Sequence, residues 1–224
     1  MQRLTVLTGN FGSGKTEIAL ALAQRCAAQG ERVKLVDLDV VNPYFTASGH
    51  REAMERQGIE IIAPAFAGTG VDVPALTGSV RAAFVDQQAR LLFDLGGDPV
   101  GATVVSSLLP LIQRAGGADV WFVCNAYRPF TSEVDGALSM MQQLSDKARL
   151  PITGILNNAN LAAETTAEHL LHGDALVRAL QQACGLPVLY HCGTPQVLAQ
   201  AAATGHALLG KPLPLAPCNH PDWL

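Results

Sequence analysis

A lysine and a hydroxyl residue set side by side after a run of glycines can hold a phosphorylated ligand. Residues Gly9-Asn10-Phe11-Gly12-Ser13-Gly14-Lys15-Thr16 have this form and match G-x-x-x-x-G-K-[ST]. Small residues let main-chain N–H groups converge on phosphate oxygens, and a helix starting at the loop's end aims partial positive charge at them. Lys15 adds a full charge for the outer phosphates, and the Thr16 hydroxyl is a ligand for Mg²⁺. The same glycines do not fit the dinucleotide pattern G-x-G-x-x-G, because counting from Gly12 the third glycine is replaced by Glu17. Asp37 does follow at the spacing of a ribose-binding acid, but the Lys15-Thr16 pair argues for a triphosphate with metal.

Phosphoryl chemistry also needs acids. Asp94 ends the apolar run Leu91-Leu92-Phe93 and has the position of a carboxylate that holds Mg²⁺ directly or through water. Gly96 and Gly97 follow, and Gly97 allows the main chain to approach a terminal phosphate. Asp37 and Asp39 share one face of an extended segment. We assign Asp37 to the metal shell and Asp39, further from the sheet, to the attacking water.

These residues need elements to carry them. Apolar runs predict strands at 3–8, 33–37, 59–63, 91–95, 119–124, 152–157 and 187–191. Helical patterns fall near 14–29, 47–57, 74–88, 99–114, 132–148, 163–183 and 195–204. Alternation of this kind predicts an α/β three-layer sandwich with a mostly parallel, doubly wound sheet of about seven strands. Asp98-Pro99 is a helix start, and Pro110 is expected to kink or end that helix. The expected organisation is one nucleotide-binding domain over residues 1–210 and an irregular, proline-rich tail over 211–224. In such a sheet ligands bind beyond the carboxyl ends of the strands. That edge collects the glycine loop, Asp37 and Asp39, Asp94 to Asp98, Asn125 to Arg128, Asn157 to Asn160, and His191 to Pro195.

Bulk properties narrow the classes. The 224 residues are 49% hydrophobic and 15% charged, enough for a substantial core. A net charge of −4, with no basic run, argues against nucleic acid as a partner. No apolar stretch is long enough to span a membrane, and the first strand begins at once, so the expected compartment is the cytoplasm. Five cysteines without C-x-x-C spacing are expected to be reduced, with Cys26 and Cys124 in the core. His191, Cys192, Cys218 and His220 could together offer four metal ligands.

The loop Gly9 to Thr16, followed by Leu35-Val36-Asp37-Leu38-Asp39-Val40-Val41-Asn42-Pro43 and by Asp94-Leu95-Gly96-Gly97, resembles the MinD/ParA/Mrp group of P-loop ATPases. The motifs appear in the group's order over about residues 1–200. The resemblance implies ATP and Mg²⁺ as cofactors, Lys15 and Asp39 as catalytic groups, and Asp37, Asp94 and Thr16 at the metal. It implies a nucleotide switch read by a protein partner or a homodimer, with loops 40–50 and 64–80 as moving parts. One departure is that no lysine stands in Gly9-Asn10-Phe11, where the group's loop carries its first lysine. Arg128 is the candidate to supply that charge, in cis or in trans.

Base choice is read from Asn157-Asn158-Ala159-Asn160, where guanine readers of this architecture carry N-K-x-D. An aspartate accepts two hydrogen bonds from guanine, and Asn160 pairs with it less well. Adenine is therefore expected, with Asn157 or Asn158 on its edge and Pro195 against its face. The alternative activity is an ATP-dependent kinase or ligase of the dethiobiotin synthetase or cobyrinate amidase type, or a metallochaperone NTPase.

Overall fold

The computed structural model describes residues 1–38, 51–62, 77–97, 103 and 105–216. Asp39, Asn42 to Phe45, the expected loop Pro64 to Pro74, Asp98-Pro99, Cys218 and His220 lie outside them. One sheet of eight parallel strands organises the chain: β1 (Leu4–Gly9), β2 (Val33–Leu38), β3 (Ile59–Ile62), β4 (Arg90–Leu95), β5 (Asp119–Cys124), β6 (Gly154–Asn157), β7 (Val188–Gly193) and β8 (Lys211–Pro214). Their spatial order is β3-β2-β4-β1-β5-β6-β7-β8. The inner strands β1, β4, β5 and β6 are buried nearly end to end, as strands covered on both faces must be.

The described helices are α1 (Lys15–Ala28), α2 (Arg51–Glu55), α3 (Thr77–Ala83), α4 (Leu109–Arg114), α5 (Val134–Ala148), α6 (Ala167–Cys184) and α7 (Pro195–Ala203). The sheet separates two large apolar clusters, one on each face, and these helices cover them. Phe93, Phe122, Ile112 and Val177 belong to one cluster, and Ile18, Leu22, Leu35 and Trp121 to the other. Helix α1 fills the second cluster with Ile18, Leu22 and Cys26, the i, i+4 line of its sequence.

One expectation is corrected here. Residues 211–214 are not irregular: they form an eighth strand, parallel to β7 and at the sheet's edge. The reason lies in the spacing of the prolines. Leu215 N–H donates to Gly193 O at 2.8 Å, so the period of two turns the nitrogens of Pro212 and Pro214 away from β7. An edge strand loses nothing by lacking those donors. The expectation at Pro110 holds: the helical run over 105–107 is interrupted at Leu108, and Pro110 sits in the first turn of the next helix, α4, where its missing N–H is not needed.

The chain visits the two sides of β1 in turn. It builds β2, β3 and β4 on one side, then crosses to β5 on the other. The carboxyl end of β1 is therefore the switch point of the sheet, where two connections leave in opposite directions and a crevice opens.

The far side of the sheet is secured by Asp174 on α6, which is fully buried. Its carboxylate accepts from Leu209 N–H (2.8 Å), from Arg178 Nε (3.0 Å) and from His206 Nε2 (3.0 Å), tying α6 to the segment that leads into β8. Burial pushes this carboxyl up, but the three donors and the Arg178 charge hold it below the usual carboxylate range. A depressed value stabilises the fold above the unfolded pKa, about 3.9, and that contribution is lost as pH falls through the folded value. Asp174→Asn should cost about 1–3 kcal/mol in urea unfolding at pH 7. The gap to the wild-type chain should shrink below about pH 4; a gap that stays constant with pH would refute this role.

Candidate functional site

All eight strands run the same way, so the loops after them meet on one edge. The glycine loop lies there between β1 and α1. Gly9, Gly12 and Gly14 have φ of 149°, 67° and 87°, backbone that side chains rarely adopt. A Cβ on Gly9 would lie 2.5 Å from the Val123 carbonyl of β5, and one on Gly14 would strike Asn158 Nδ2.

The carbonyls of this loop are taken up by its own lysine and by side chains of two neighbouring connections. Lys15 Nζ donates to Asn10 O (2.9 Å) and Gly9 O (3.3 Å). Arg128 Nε donates to Gly12 O (2.8 Å), Asn158 Nδ2 to Ser13 O (2.7 Å), and Ile18 N–H to Gly14 O (3.2 Å). Asn10 Nδ2 in turn donates to Pro129 O at 2.5 Å. Two amides are spent inside the loop, Phe11 N–H on Asn10 Oδ1 (2.8 Å) and Ser13 N–H on Asn10 O (3.2 Å). The start of α1, with its N–H groups and partial positive charge, is the part of the loop best suited to an anion.

The acids come from neighbouring strands. Asp37 on β2 and Asp94 on β4 are register partners, and both are buried. Thr16 Oγ1, in the first turn of α1, donates to Asp94 Oδ2 at 2.7 Å. Hydroxyl and carboxylate oxygens are the hard donors that Mg²⁺ takes, so this set fits the ion. Among the described residues no group of three or more His, Cys, Asp or Glu could hold a metal by itself. Gly97, just beyond β4, lies flat against the glycine loop. A Cβ there would meet Phe11 N and come within 2.6 Å of Phe11 Cα.

A cavity of about 500 Å³ opens from the loop, a suitable size for a mononucleotide. Its wall includes Lys15, Thr16 and Arg128, then Asn158 and Asn160, and Gly193, Thr194 and Leu215. Thr194 is the N-cap of α7, accepting from Val197 N–H at 3.3 Å. Pro195 is the next residue, at the first position of that helix, and is not part of the wall.

The asparagines divide into two kinds. Asn157 is buried and committed to the fold: its Nδ2 donates to Leu170 O (3.1 Å) and its Oδ1 accepts from Ala159 N–H (3.1 Å). It does not reach the cavity. Asn158 does, and its Oδ1 is buried with no donor among the described residues. Asn160 donates from Nδ2 to Asn158 O at 2.8 Å. Asn125, placed at this edge by the sequence but given no role there, joins two of the loops. Its Oδ1 accepts from Tyr127 N–H (3.0 Å) and Asn160 N–H (3.3 Å), while its Nδ2 donates to Asn160 O (3.2 Å). Its place directly after a buried apolar strand was the signal available for it. Leu215 had no such signal, because it follows prolines that read as a tail.

Cys26, Cys124 and Cys192 are buried core residues. Burial pushes the Cys124 thiol up to about 12, and Cys26 and Cys192 are raised by burial as well, so none is a ready thiolate. The His191 ring sits 3.0 Å from Leu209 O through Nδ1, and Cys192 is buried.

Residues 4–191 match the family model CbiA, the CobQ/CobB/MinD/ParA nucleotide binding domain. No curated protein sequence matches the chain. Among solved structures, the cell division protein FtsY of Thermotoga maritima is similar at 17% identity with a TM-score of 0.63, covering 88% of this chain and 63% of that one. FtsY of Mycoplasma mycoides is similar at 17% identity and a TM-score of 0.56, over 88% of this chain and 61% of that one. The signal recognition particle receptor FtsY of Elizabethkingia anophelis, solved in complex with GDP, shares 18% identity at a TM-score of 0.55, over 85% of this chain and 57% of that one. The chain thus spans less than two thirds of these relatives, and the likeness is one of fold. Among the described residues no helix is long and apolar enough to cross a membrane.

Gly97→Ala tests the packing of the loops. The added methyl must push the β4 loop off Phe11, which should weaken binding of a phosphorylated ligand by roughly tenfold or more at a cost of about 1–3 kcal/mol in stability. Unchanged affinity in a titration would show that the contact does not shape the site.

Proposed function

We propose that this chain, a member of the CobQ/CobB/MinD/ParA nucleotide-binding family, binds ATP with Mg²⁺ and hydrolyses it as a switch read by a protein partner or a second copy. The observation that carries the reading is the Thr16–Asp94 hydrogen bond at the foot of a glycine loop whose carbonyls are tied outward. It brings a hydroxyl and a carboxylate together beside main-chain amides, the combination that a metal-bound phosphate tail requires.

Main-chain amides of the loop and of the start of α1 would hold the phosphate oxygens, and Lys15, swinging from Asn10 O and Gly9 O, would add its charge. Thr16, Asp94 and Asp37 would hold Mg²⁺, which neutralises phosphate charge when bound. Asp39 follows β2 directly in sequence and is the proposed carboxylate that orients the attacking water. Gly97, resting on Phe11, is placed to pass a change at the terminal phosphate to the β4 loop. Phe11 and Phe130 are exposed on two loops joined by Asn10 and Pro129, which favours a partner surface at this edge.

Base choice rests on Asn160, while Asn158 offers an acceptor that the amine of either purine can use. Asn158 Oδ1, buried beside the cavity, can accept from an exocyclic amine. Asn160 stands where a guanine reader has aspartate, and its Nδ2 is already donating to Asn158 O.

Binding and phosphate release, measured with ATP and GTP with and without Mg²⁺, test the proposal. ATP should be preferred by at least about tenfold, and chelating the metal should abolish turnover. Lys15→Ala should lose both binding and turnover. Asp39→Ala should cut hydrolysis by ~10²–10⁴-fold while ATP still binds. A chain that binds neither nucleotide, or prefers GTP, overturns the assignment. Transfer of labelled phosphate to a small molecule would instead identify a kinase.

A further inference from the structure

Arg128 is the one residue of the β5–α5 connection whose charged group lies on the glycine loop. Its main chain is fixed at both ends of the peptide: its N–H donates to Asn125 O (3.1 Å) and its carbonyl accepts from Thr131 N–H (3.2 Å). Thr131 Oγ1 donates to Asn125 O at 2.8 Å and closes the turn. The side chain is fixed as well, with Nε on Gly12 O at 2.8 Å. The guanidinium lies over Gly12 so closely that a Cβ there would be 3.4 Å from its central carbon. Gly12 itself has a φ of 67°, so a side chain there would strain the main chain that carries this contact.

This anchoring uses one of the five N–H donors of arginine. Among the described residues the terminal nitrogens have no hydrogen bond, and no carboxylate makes an ion pair with Arg128. The group lines the cavity together with Lys15 and Thr16, and Glu17 is the acid that shares this wall. A guanidinium held through Nε to a neutral carbonyl keeps its full charge and presents two paired donors, the geometry that grips a phosphate oxygen pair.

From this geometry we infer that Arg128 contacts the polyphosphate tail within its own chain. The inference rests on the nucleotide reading above and deepens it. The cation complementing Lys15 then comes from the loop after β5 in cis, so binding of the tail needs no second copy. The reciprocal bond from Asn10 to Pro129 O makes the two loops one unit, so Arg128 is carried into place by the same contacts that shape the glycine loop.

The test compares wild type, Arg128→Met and Arg128→Lys for binding of ATP, ADP and AMP with Mg²⁺, alongside thermal melts. It also mixes Arg128→Met with Lys15→Ala chains and measures phosphate release. Arg128→Met should weaken ATP by roughly 10–100-fold, ADP less and AMP little, and Arg128→Lys should recover part of the loss. The mixture should hydrolyse no faster than the sum of its components. Equal weakening of all three nucleotides together with a lowered melting point would reduce Arg128 to a clamp on the loop and overturn the inference. Recovery of turnover in the mixture would place the arginine in a neighbour's site and overturn it too. A wild-type chain that binds no triphosphate defeats the nucleotide reading itself, whereas a wild-type chain that binds while Arg128→Met binds equally well defeats only this assignment.

Discussion

A peptide unit has two polar ends, and fixing one decides where the other points. That constraint governs this molecule's working edge. The glycine loop between β1 and α1 is tied both within itself and from outside. Asn10 O and Gly9 O are held by the loop's own Lys15, Gly12 O by Arg128 from the β5–α5 connection, Ser13 O by Asn158 from the β6–α6 connection, and Gly14 O by the helix it begins. The shape of the loop is a product of these donors together. Glycine is required where they press closest, at Gly14 beneath Asn158 and at Gly97 against Phe11, since a methyl at either point would displace main chain or amide.

The sheet supplies the opposite charge. Register pairing of Asp37 with Asp94 sets two buried carboxylates side by side, an arrangement that costs stability unless something positive or hydrogen-bonding answers it. The Thr16 hydroxyl answers on one side. Anions and cations of a ligand thus meet complementary groups that the parallel topology brings to one edge, with the switch point at β1 opening the space between them.

Much of this was legible in the sequence for a simple reason: buried parallel strands are continuous apolar runs, and a phosphate loop is a local motif. β1, β2, β4 and β5 were readable to within a residue or so, and Lys15, Thr16, Asp37 and Asp94 were picked as one set that the fold brings together. Contacts between side chains and distant main chain were not legible. Nothing local separates Asn157, spent on Leu170 O inside the fold, from Asn158, spent on Ser13 O beside the cavity, because the difference is which face of β6's end each occupies. Strand β8 escaped because two prolines argue against a strand by composition. Only its placement at the sheet's edge, with those nitrogens turned outward, makes it tolerable.

The cavity draws its wall from regions far apart in the chain, Phe11 and Gly12 in one and Leu215 and Ala216 in another. The first region follows β1 in the centre of the sheet. The second follows β8, an edge strand held by one neighbour, β7, with its approach pinned by Asp174. An edge strand is the part of a sheet that opens at least cost, so peeling of this outermost ribbon would remove one part of the wall while the centre stays intact. Hydrogen exchange at Leu215, whose N–H is held by Gly193 O, reads that opening directly.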